Sequence, residues 1–345
     1  AFALTIAHNY IGENVQLCAM VKANAYGHGV KDICNIIGDF VDYFGVASAI
    51  EAKEIREFNT ATKILIVGVI DKNYLTWCAE NNVSITVICK EELEYIIKNL
   101  NVPVKIHFKI NSGLNRIGFN KICEFKECCQ LAKSSPNIII EGIFTHFATK
   151  LNDVDYINFQ YNKFLEFTKL VDDNVIIHCC NSFATIYNTR MHHNMVRCGF
   201  NIYGWQPDFK MKLLPVLEIK SKIITCYKIK KGESVGYDRT FKAAKNMKIG
   251  IVPIGYADGF DRRLSNNFSV LINGQRAKVI GLICMDMFAV DLTGTDADAG
   301  SVVTLLGRDG GNEITPYTYA QVLNTTPYEI LLKFNSRRMN RIILE

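Results

Sequence analysis

Lys22 closes an apolar run, Cys18 to Val21, in the stretch CAMVKANAYGHGV at 18–30. An amine at the end of a buried strand is costly unless a partner or a reaction uses it. Other polar residues with chemical potential follow apolar runs in the same way. Asn111 and Arg116 come after the run at 104–110, and His146 ends the run at 138–147. Asn181 and Ser182 come after the run at 175–180, and Arg197 lies at the start of the run at 196–204.

These positions make sense only if the runs are strands with a common rim. Eight β-branched, mostly continuous apolar runs occur at 15–21, 43–48, 63–68, 83–88, 104–110, 138–147, 175–180 and 196–204. Continuous rather than alternating apolarity is the signature of strands buried on both faces. Helical spacing separates them, most clearly in Lys90–Asn99 and in the run from Tyr156 to Val171. Eight strands alternating with helices predict a TIM-type (β/α)8 barrel over residues 1–213; a doubly wound open sheet is the runner-up. From about Leu214 the pattern changes to strands joined by turns, with Asn273-Gly274 as a hairpin signal and a short helix at Pro316–Leu323. Residues 214–345 therefore read as a second, mainly-β domain.

A barrel places its chemistry at the C-terminal ends of its strands and often cradles a phosphate after strands 7 and 8. Asn181-Ser182 and Cys198-Gly199-Phe200 stand there. A lysine aimed into such a mouth points to covalent chemistry with pyridoxal phosphate. The other reading is an amine that snorkels outward or pairs with Asp or Glu.

The bulk properties narrow the class. The chain has 345 residues and a net charge of +5, with basic residues scattered rather than striped. That argues against nucleic acid as a partner. Twelve cysteines lie mostly in apolar runs without a CxxC pair, and Cys123, Cys128 and Cys129 have no nearby histidine. They read as reduced core thiols of a cytoplasmic protein, not as zinc ligands, so no metal is expected. No apolar stretch is long enough to span a membrane and no signal peptide is visible.

Nine motifs in order then carry a resemblance. VKANAYGHG (21–29), HFKINSGLNRIGF (107–119), FTHFA (144–148), NSFAT (181–185) and VRCGFNIYG (196–204) are similar to those of alanine racemases, fold type III pyridoxal-phosphate enzymes. VGYDRTF (235–241), IGYADGF (254–260), CMDMFAVDL (284–292) and YEIL (328–331) continue the match over essentially the whole chain. The resemblance implies that Lys22 carries the cofactor and acts as one base. It implies that Tyr26, Ser182, Tyr328 and the backbone near Asn181, Gly199 and Phe200 hold the phosphate, and that Arg197 faces the pyridine nitrogen. Arg116 would serve the cofactor's phenolic oxygen and the substrate carboxylate. Tyr237 would be the second base, supplied by the partner subunit of a homodimer with shared active sites, with His146 near it. Met285 would also reach across the dimer, Tyr256 would line the entrance, and Lys109 matches a lysine often carbamylated in the family. The implied activity is interconversion of L- and D-alanine for bacterial peptidoglycan.

Arginine does not readily yield its proton, so the ring nitrogen beside Arg197 would stay unprotonated. His28, His107 and His178 read as structural, and His192-His193 as a loop. Three departures from the family pattern stand out. His8-Asn9 precedes Lys22 by fourteen positions where about twenty is usual, which reads as a trimmed start or a missing loop. Leu151 and Leu282 replace a polar pair at the entrance. Alternatives are a serine or broad-specificity racemase, a fold type III decarboxylase (whose His-x-Gly-Ser-Gly stretch is absent) and a barrel-only cofactor carrier, against which residues 214–345 argue.

Overall fold

The computed structural model describes residues 11–12, 14–149, 153–205 and 213–344. The chain divides into two compact units, Ala1–Leu214 and Pro215–Glu345.

In the first unit, eight strands alternate with helices. They are β1 (Gln16–Met20), β2 (Tyr43–Val46), β3 (Lys63–Val69), β4 (Val83–Val87), β5 (Val104–Lys109), β6 (Ile138–Phe144), β7 (Ile176–His178) and β8 (Met195–Cys198). Their order in the sheet is β7-β6-β5-β4-β3-β2-β1-β8, with parallel pairing throughout. The two ends of that order meet: Asn194 N–H donates to the Ile177 carbonyl at 3.1 Å and Arg197 N–H to the Cys180 carbonyl at 3.0 Å. The sheet is thus a nearly closed barrel, as the eight runs implied. Two runs overstate their strands. β6 stops at Phe144, so His146 lies two residues beyond it, and β8 stops at Cys198, before the turn that carries Gly199 and Phe200.

The helices α1 (Val30–Ile37), α2 (Ala49–Arg56), α3 (Leu75–Glu80), α4 (Lys90–Asn99), α5 (Ile122–Ser134), α6 (Val154–Thr168) and α7 (Ser182–Tyr187) connect the strands. Inside, Cys18, Met20, Tyr43, Leu65 and Met195 pack as one cluster. His107 and His178 are fully buried beside them. Room for His107 comes from Gly142, where a Cβ would stand 2.2 Å from His107 Nδ1.

In the second unit, β9 (Ile219–Lys222), β10 (Thr225–Ile229), β13 (Met247–Val252), β14 (Ser269–Ile272), β15 (Gln275–Ile280), β16 (Phe288–Asp291), β17 (Val302–Asp309) and β18 (Asn312–Ile314) make an antiparallel sheet. A small ribbon of β11 (Ser234–Val235) and β12 (Phe241–Lys242) accompanies it. The β14–β15 hairpin turns at Asn273 (φ 51°) and Gly274 (φ 74°), the two positive angles that a type I′ turn demands. Phe260 stacks on Phe288 at 4.5 Å and Phe268 meets Tyr319 at 4.4 Å, forming an aromatic core under the sheet. Helix α8 (Pro316–Leu323) starts with a Thr315–Thr318 capping box and Pro316 in its first turn. A further helix, α9 (Pro327–Lys333), was not foreseen; it carries Tyr328. Among the described residues no helix is long and apolar enough to cross a membrane. His8, Asn9 and Leu151 lie outside the described residues.

Candidate active site

Just past β1 the backbone does something L-residues avoid. Ala23, Asn24, Ala25 and Tyr26 all have φ between 52° and 54°, forming one left-handed turn directly after Lys22. Each such residue costs roughly 1–2 kcal/mol. Tertiary contacts enforce the turn. Glu51 accepts from Ala23 N–H at 2.8 Å and from Ala47 N–H at 2.7 Å, tying the turn to the end of β2. Asn24 Oδ1 accepts from Val30 N–H at 2.7 Å. The His28 ring nitrogen Nδ1 sits 3.0 Å from the Ala25 carbonyl and 3.1 Å from that of Tyr26, and the ring stacks on Tyr203 at 4.3 Å. His28 is therefore structural, as its sequence setting implied.

The lysine so placed is partly withdrawn from water. Burial pushes the Lys22 amine below its ordinary value; Arg116 and Arg197 push the same way, and Glu51 opposes them. A lowered amine is what a nucleophile or base at neutral pH requires.

Arg197 is almost fully buried in β8. Its Nη1 donates to His178 Nδ1 at 2.8 Å and to the His178 carbonyl at 3.1 Å, and its Nη2 donates to the Thr145 carbonyl at 2.7 Å. Nη2 also lies 3.4 Å from His146 Nδ1. Among the described residues no hydrogen bond uses its Nε–H. Behind it the chain of contacts continues: His178 Nε2 to His107 Nδ1 at 2.9 Å, then His107 Nε2 to Glu141 at 3.0 Å. Arginine can only donate, so the direction is set: both histidines carry their proton on Nε2. Burial holds both imidazoles below their usual value, and Arg197 adds to this at each. Burial raises the Glu141 carboxyl, but His107, Ser84 and Lys105 outweigh it and bring the group to about 2. His107 and His178, read as core histidines, form the middle of this polarised chain.

Lys109, at the end of β5, is buried with its amine 4.7 Å over the Phe144 ring. Burial first, then Arg197 and Arg116, push it well below the ordinary lysine value. Arg116 itself is exposed on the loop after β5. That loop is pinned by Phe119 N–H to the Lys109 carbonyl at 2.9 Å and by Asn115 N–H to Asn111 Oδ1 at 2.8 Å. Gly118 is obligatory there: at φ 115°, a Cβ would meet the Lys109 carbonyl oxygen at 2.5 Å. His146 is also held well below its usual value, by burial and then by Arg197, Lys109, Arg116 and Lys22. The mouth of the barrel is thus a cluster of cations.

On the far side of that mouth is a small cradle. Asn181 caps α7, its Oδ1 accepting from Phe183 and Ala184 N–H at 3.1 Å each. Ser182 Oγ accepts from Gly199 N–H at 2.8 Å. A Cβ on Gly199 would stand 2.8 Å from the Tyr26 hydroxyl oxygen, so the Tyr26, Ser182 and Gly199 groups converge. Phe200, next in the turn, is buried.

The second unit gathers its own set. Tyr237 is 68% exposed, on a tight turn where Gly236, Asp238 and Arg239 all have positive φ. Gly236 packs on Leu282, with a Cβ there reaching Leu282 N at 3.3 Å. Gly255 packs still closer on Met285, whose carbonyl accepts from Ala257 N–H at 3.0 Å. Tyr256 and Met285 therefore sit side by side and exposed. Arg338 fastens this surface by pairing with nearly buried Asp258 at 3.0 Å and with Asp286. Burial raises the Tyr328 hydroxyl on α9.

Sequence reasoning missed Glu51, the direction of the Arg197–His178–His107–Glu141 chain, and Arg338. A signal for Glu51 existed. Ser48-Ala-Ile-Glu51 has the spacing of a capping box, although here the carboxylate bonds beyond the cap. No local signal marked Arg338.

Comparison with known proteins agrees with this geometry. The profile of "Alanine racemase, N-terminal domain" matches residues 4–207, and that of "Alanine racemase, C-terminal domain" matches residues 216–343. An alanine racemase of Pediococcus pentosaceus is 35% identical over 96% of this chain and 90% of its own. The crystal structure of alanine racemase from E. faecalis superposes with a TM-score of 0.93, at 33% identity, over 96% of this chain and 92% of that one. That of Bacillus anthracis with bound L-Ala-P gives 0.91 at 32% identity, covering 96% and 89%.

Proposed function

The chain belongs to the alanine racemase family, and we propose that it interconverts L- and D-alanine with pyridoxal phosphate bound at Lys22. The observation that carries this reading is the cation cluster of Lys22, Lys109, Arg116 and Arg197 around His146, beside a cradle bare of a Cβ at Gly199. The cofactor, with its anionic phosphate and phenolic oxygen, fits both features. When bound, it supplies an electron sink that acidifies the substrate's α-hydrogen.

The protein's own groups then divide the work. Tyr26, Ser182 and the backbone around Asn181, Gly199 and Phe200 bind phosphate, with Tyr328 contributing its hydroxyl. Arg197 offers its Nε–H to the ring nitrogen, while its other donors are spent on His178 and Thr145. Because guanidinium retains its proton, Arg197 would leave the ring nitrogen unprotonated and the sink weak, which would disfavour side reactions. Arg116 meets the phenolic oxygen and the substrate carboxylate. The lowered Lys22 amine holds or returns a proton on one face of the α-carbon. Tyr237 does so on the other, contributed by the partner protomer of a homodimer. Its exposure in the single chain supports that reading. Met285 and Tyr256 frame the entrance. Buried Lys109, its amine pushed well below the ordinary lysine value by burial and by Arg197 and Arg116, is suited to take up carbon dioxide as a carbamate anion, which would brace Arg116. The twelve unpaired cysteines support a cytoplasmic setting, and D-alanine for peptidoglycan is the product's use.

The test is racemisation of alanine, serine and 2-aminobutyrate with added pyridoxal phosphate, with α-hydrogen exchange followed in deuterated water. Borohydride should fix the cofactor to the peptide containing Lys22. Tyr237→Phe should keep that labelling and lose most turnover. Labelling elsewhere, or serine turned over faster than alanine, would reject the assignment.

A further inference from the structure

We propose that Cys179 and Cys180 form a vicinal dithiol that captures trivalent arsenicals, a site separate from the amine chemistry at Lys22. Consecutive residues of a strand point to opposite faces. β7 ends at His178, however, and the two sulfurs just beyond it turn to the same acceptor. Each thiol lies 3.1 Å from the Met191 carbonyl oxygen. Both are fully buried, and the neighbouring Cys179 thiol, then burial, push the Cys180 thiol well above its ordinary value.

Those conditions select the ligand. Among the described residues no group of three or more His, Cys, Asp or Glu is placed to hold a metal ion. An arylarsonous acid, ArAs(OH)2, needs only two sulfurs, because the aryl group fills its third position. Two S–H and two As–O bonds break, two As–S bonds form and two waters leave. Arsenic remains trivalent, so no oxidant or reductant enters. Two neutral thiols become a neutral dithioarsenite, and no charge is placed in the apolar interior. Access requires only a local opening, because the short turn Thr189–Met191 covers the pair. Met191 also lines a cavity of about 130 Å³ with Phe147, Ile157 and Phe183.

Capture would reach the active site through the backbone. The Cys180 carbonyl accepts Arg197 N–H at 3.0 Å, the Cys179 carbonyl lies 3.4 Å from Arg197 Nη2, and Asn181-Ser182 follow directly. A ring closed across the two sulfurs displaces the chain that seats Arg197 and Ser182. A misplacement near 1 Å costs on the order of 100-fold in turnover.

The chain contains its own control. Cys128-Cys129 are also adjacent and buried, but they lie within helix α5, where neighbouring side chains do not face each other. The experiment uses reduced holoenzyme freed of small thiols and treated with equimolar phenylarsine oxide. Intact mass, peptide mapping and racemase activity are read together. The expected result is one phenylarsenic group per chain on the Cys179–Cys180 peptide, activity lost in step with it, and reversal by 2,3-dimercaptopropanol but not by 2-mercaptoethanol. Cys179→Ser and Cys180→Ser should each abolish stable capture, and Cys128→Ser should not. The mass readout is independent of the racemase reading, and the peptide map of the parent chain decides even if a serine variant fails to fold. Arsenic found only on Cys128–Cys129 or on exposed Cys123, or no adduct before denaturation, would overturn the proposal.

Discussion

Gly199→Ala isolates the cradle from everything else in the mouth. Gly199 is not among the residues with positive φ, so alanine meets no backbone penalty there. Its added Cβ would lie 2.8 Å from the Tyr26 hydroxyl oxygen, 3.2 Å from Tyr26 Cζ and 3.4 Å from Met20 Cβ. The first of these is closer than real Cβ contacts allow, so Tyr26 must move. It has little freedom to do so. Its backbone belongs to the left-handed turn, and its ring packs on Tyr203 at 5.3 Å. Tyr203 is in turn fixed by its hydroxyl donating to the Met20 carbonyl at 2.9 Å. Overpacking of this kind costs typically ~1–3 kcal/mol. Realised in cofactor binding, that is a loss of roughly 5- to 160-fold in affinity.

The assay is titration of the apoprotein with pyridoxal phosphate, followed by absorbance, with the melting temperature of apo and loaded protein measured alongside. The cradle reasoning requires weaker cofactor binding and a smaller melting-temperature gain on loading. Equal affinity in parent and variant would refute it. An equal loss of stability with and without cofactor would show that Gly199 matters for packing alone.

Three further outcomes are expected. Glu141 is depressed to about 2 in the folded chain, so its contribution is fully present above the unfolded carboxyl range near 4.5 and is lost as pH falls toward 2. It amounts to on the order of 3 kcal/mol. Glu141→Gln should therefore lower the denaturation midpoint of the first unit at pH 7, and the gap should shrink as acid is added between pH 4.5 and 2. Protein prepared in ¹³C-bicarbonate should show a carbamate resonance that Lys109→Arg lacks, with Arg116-dependent substrate affinity falling in the variant. Arg338→Met leaves Asp258, only 4% exposed, without its cation, and should loosen the Tyr256–Met285 surface. KM should rise several-fold while kcat changes less; an unchanged KM would separate Arg338 from the entrance.

Much of this architecture was legible because doubly buried strands announce themselves. In KILIVG the consecutive Ile64, Leu65 and Ile66 leave no polar face, and β3 is indeed buried at all three. Asn273-Gly274 carried its own turn chemistry. Other features had no local signal. Ala-Asn-Ala-Tyr at 23–26 has no preference for the left-handed region beyond that of Asn24; Glu51 and His28, distant or two residues beyond, impose it. Periodicity also cannot say which residues of a doubly buried strand face each other across a barrel. The pairing of His107 with His178, 71 positions apart, was therefore invisible until the strands were closed into a ring. The C-terminal Arg338 meets Asp258 across 80 positions for the same reason.

The left-handed turn and the cation cluster resolve into one argument. Four residues held against their local preference are a cost that a merely structural loop would shed. The turn delivers two groups at once: Lys22 before it and Tyr26 at its end, one aimed at the cations and the other at Gly199. A right-handed turn over the same four residues would retain the sequence spacing but separate those two directions. On the proposed reading, the anion at Tyr26 and the carbon at Lys22 would belong to one molecule, because one turn carries both groups. Local strain, a lowered amine and a cradle without a Cβ are then three consequences of the same requirement. A ligand carrying an electrophilic carbonyl and a phosphate at fixed separation satisfies it.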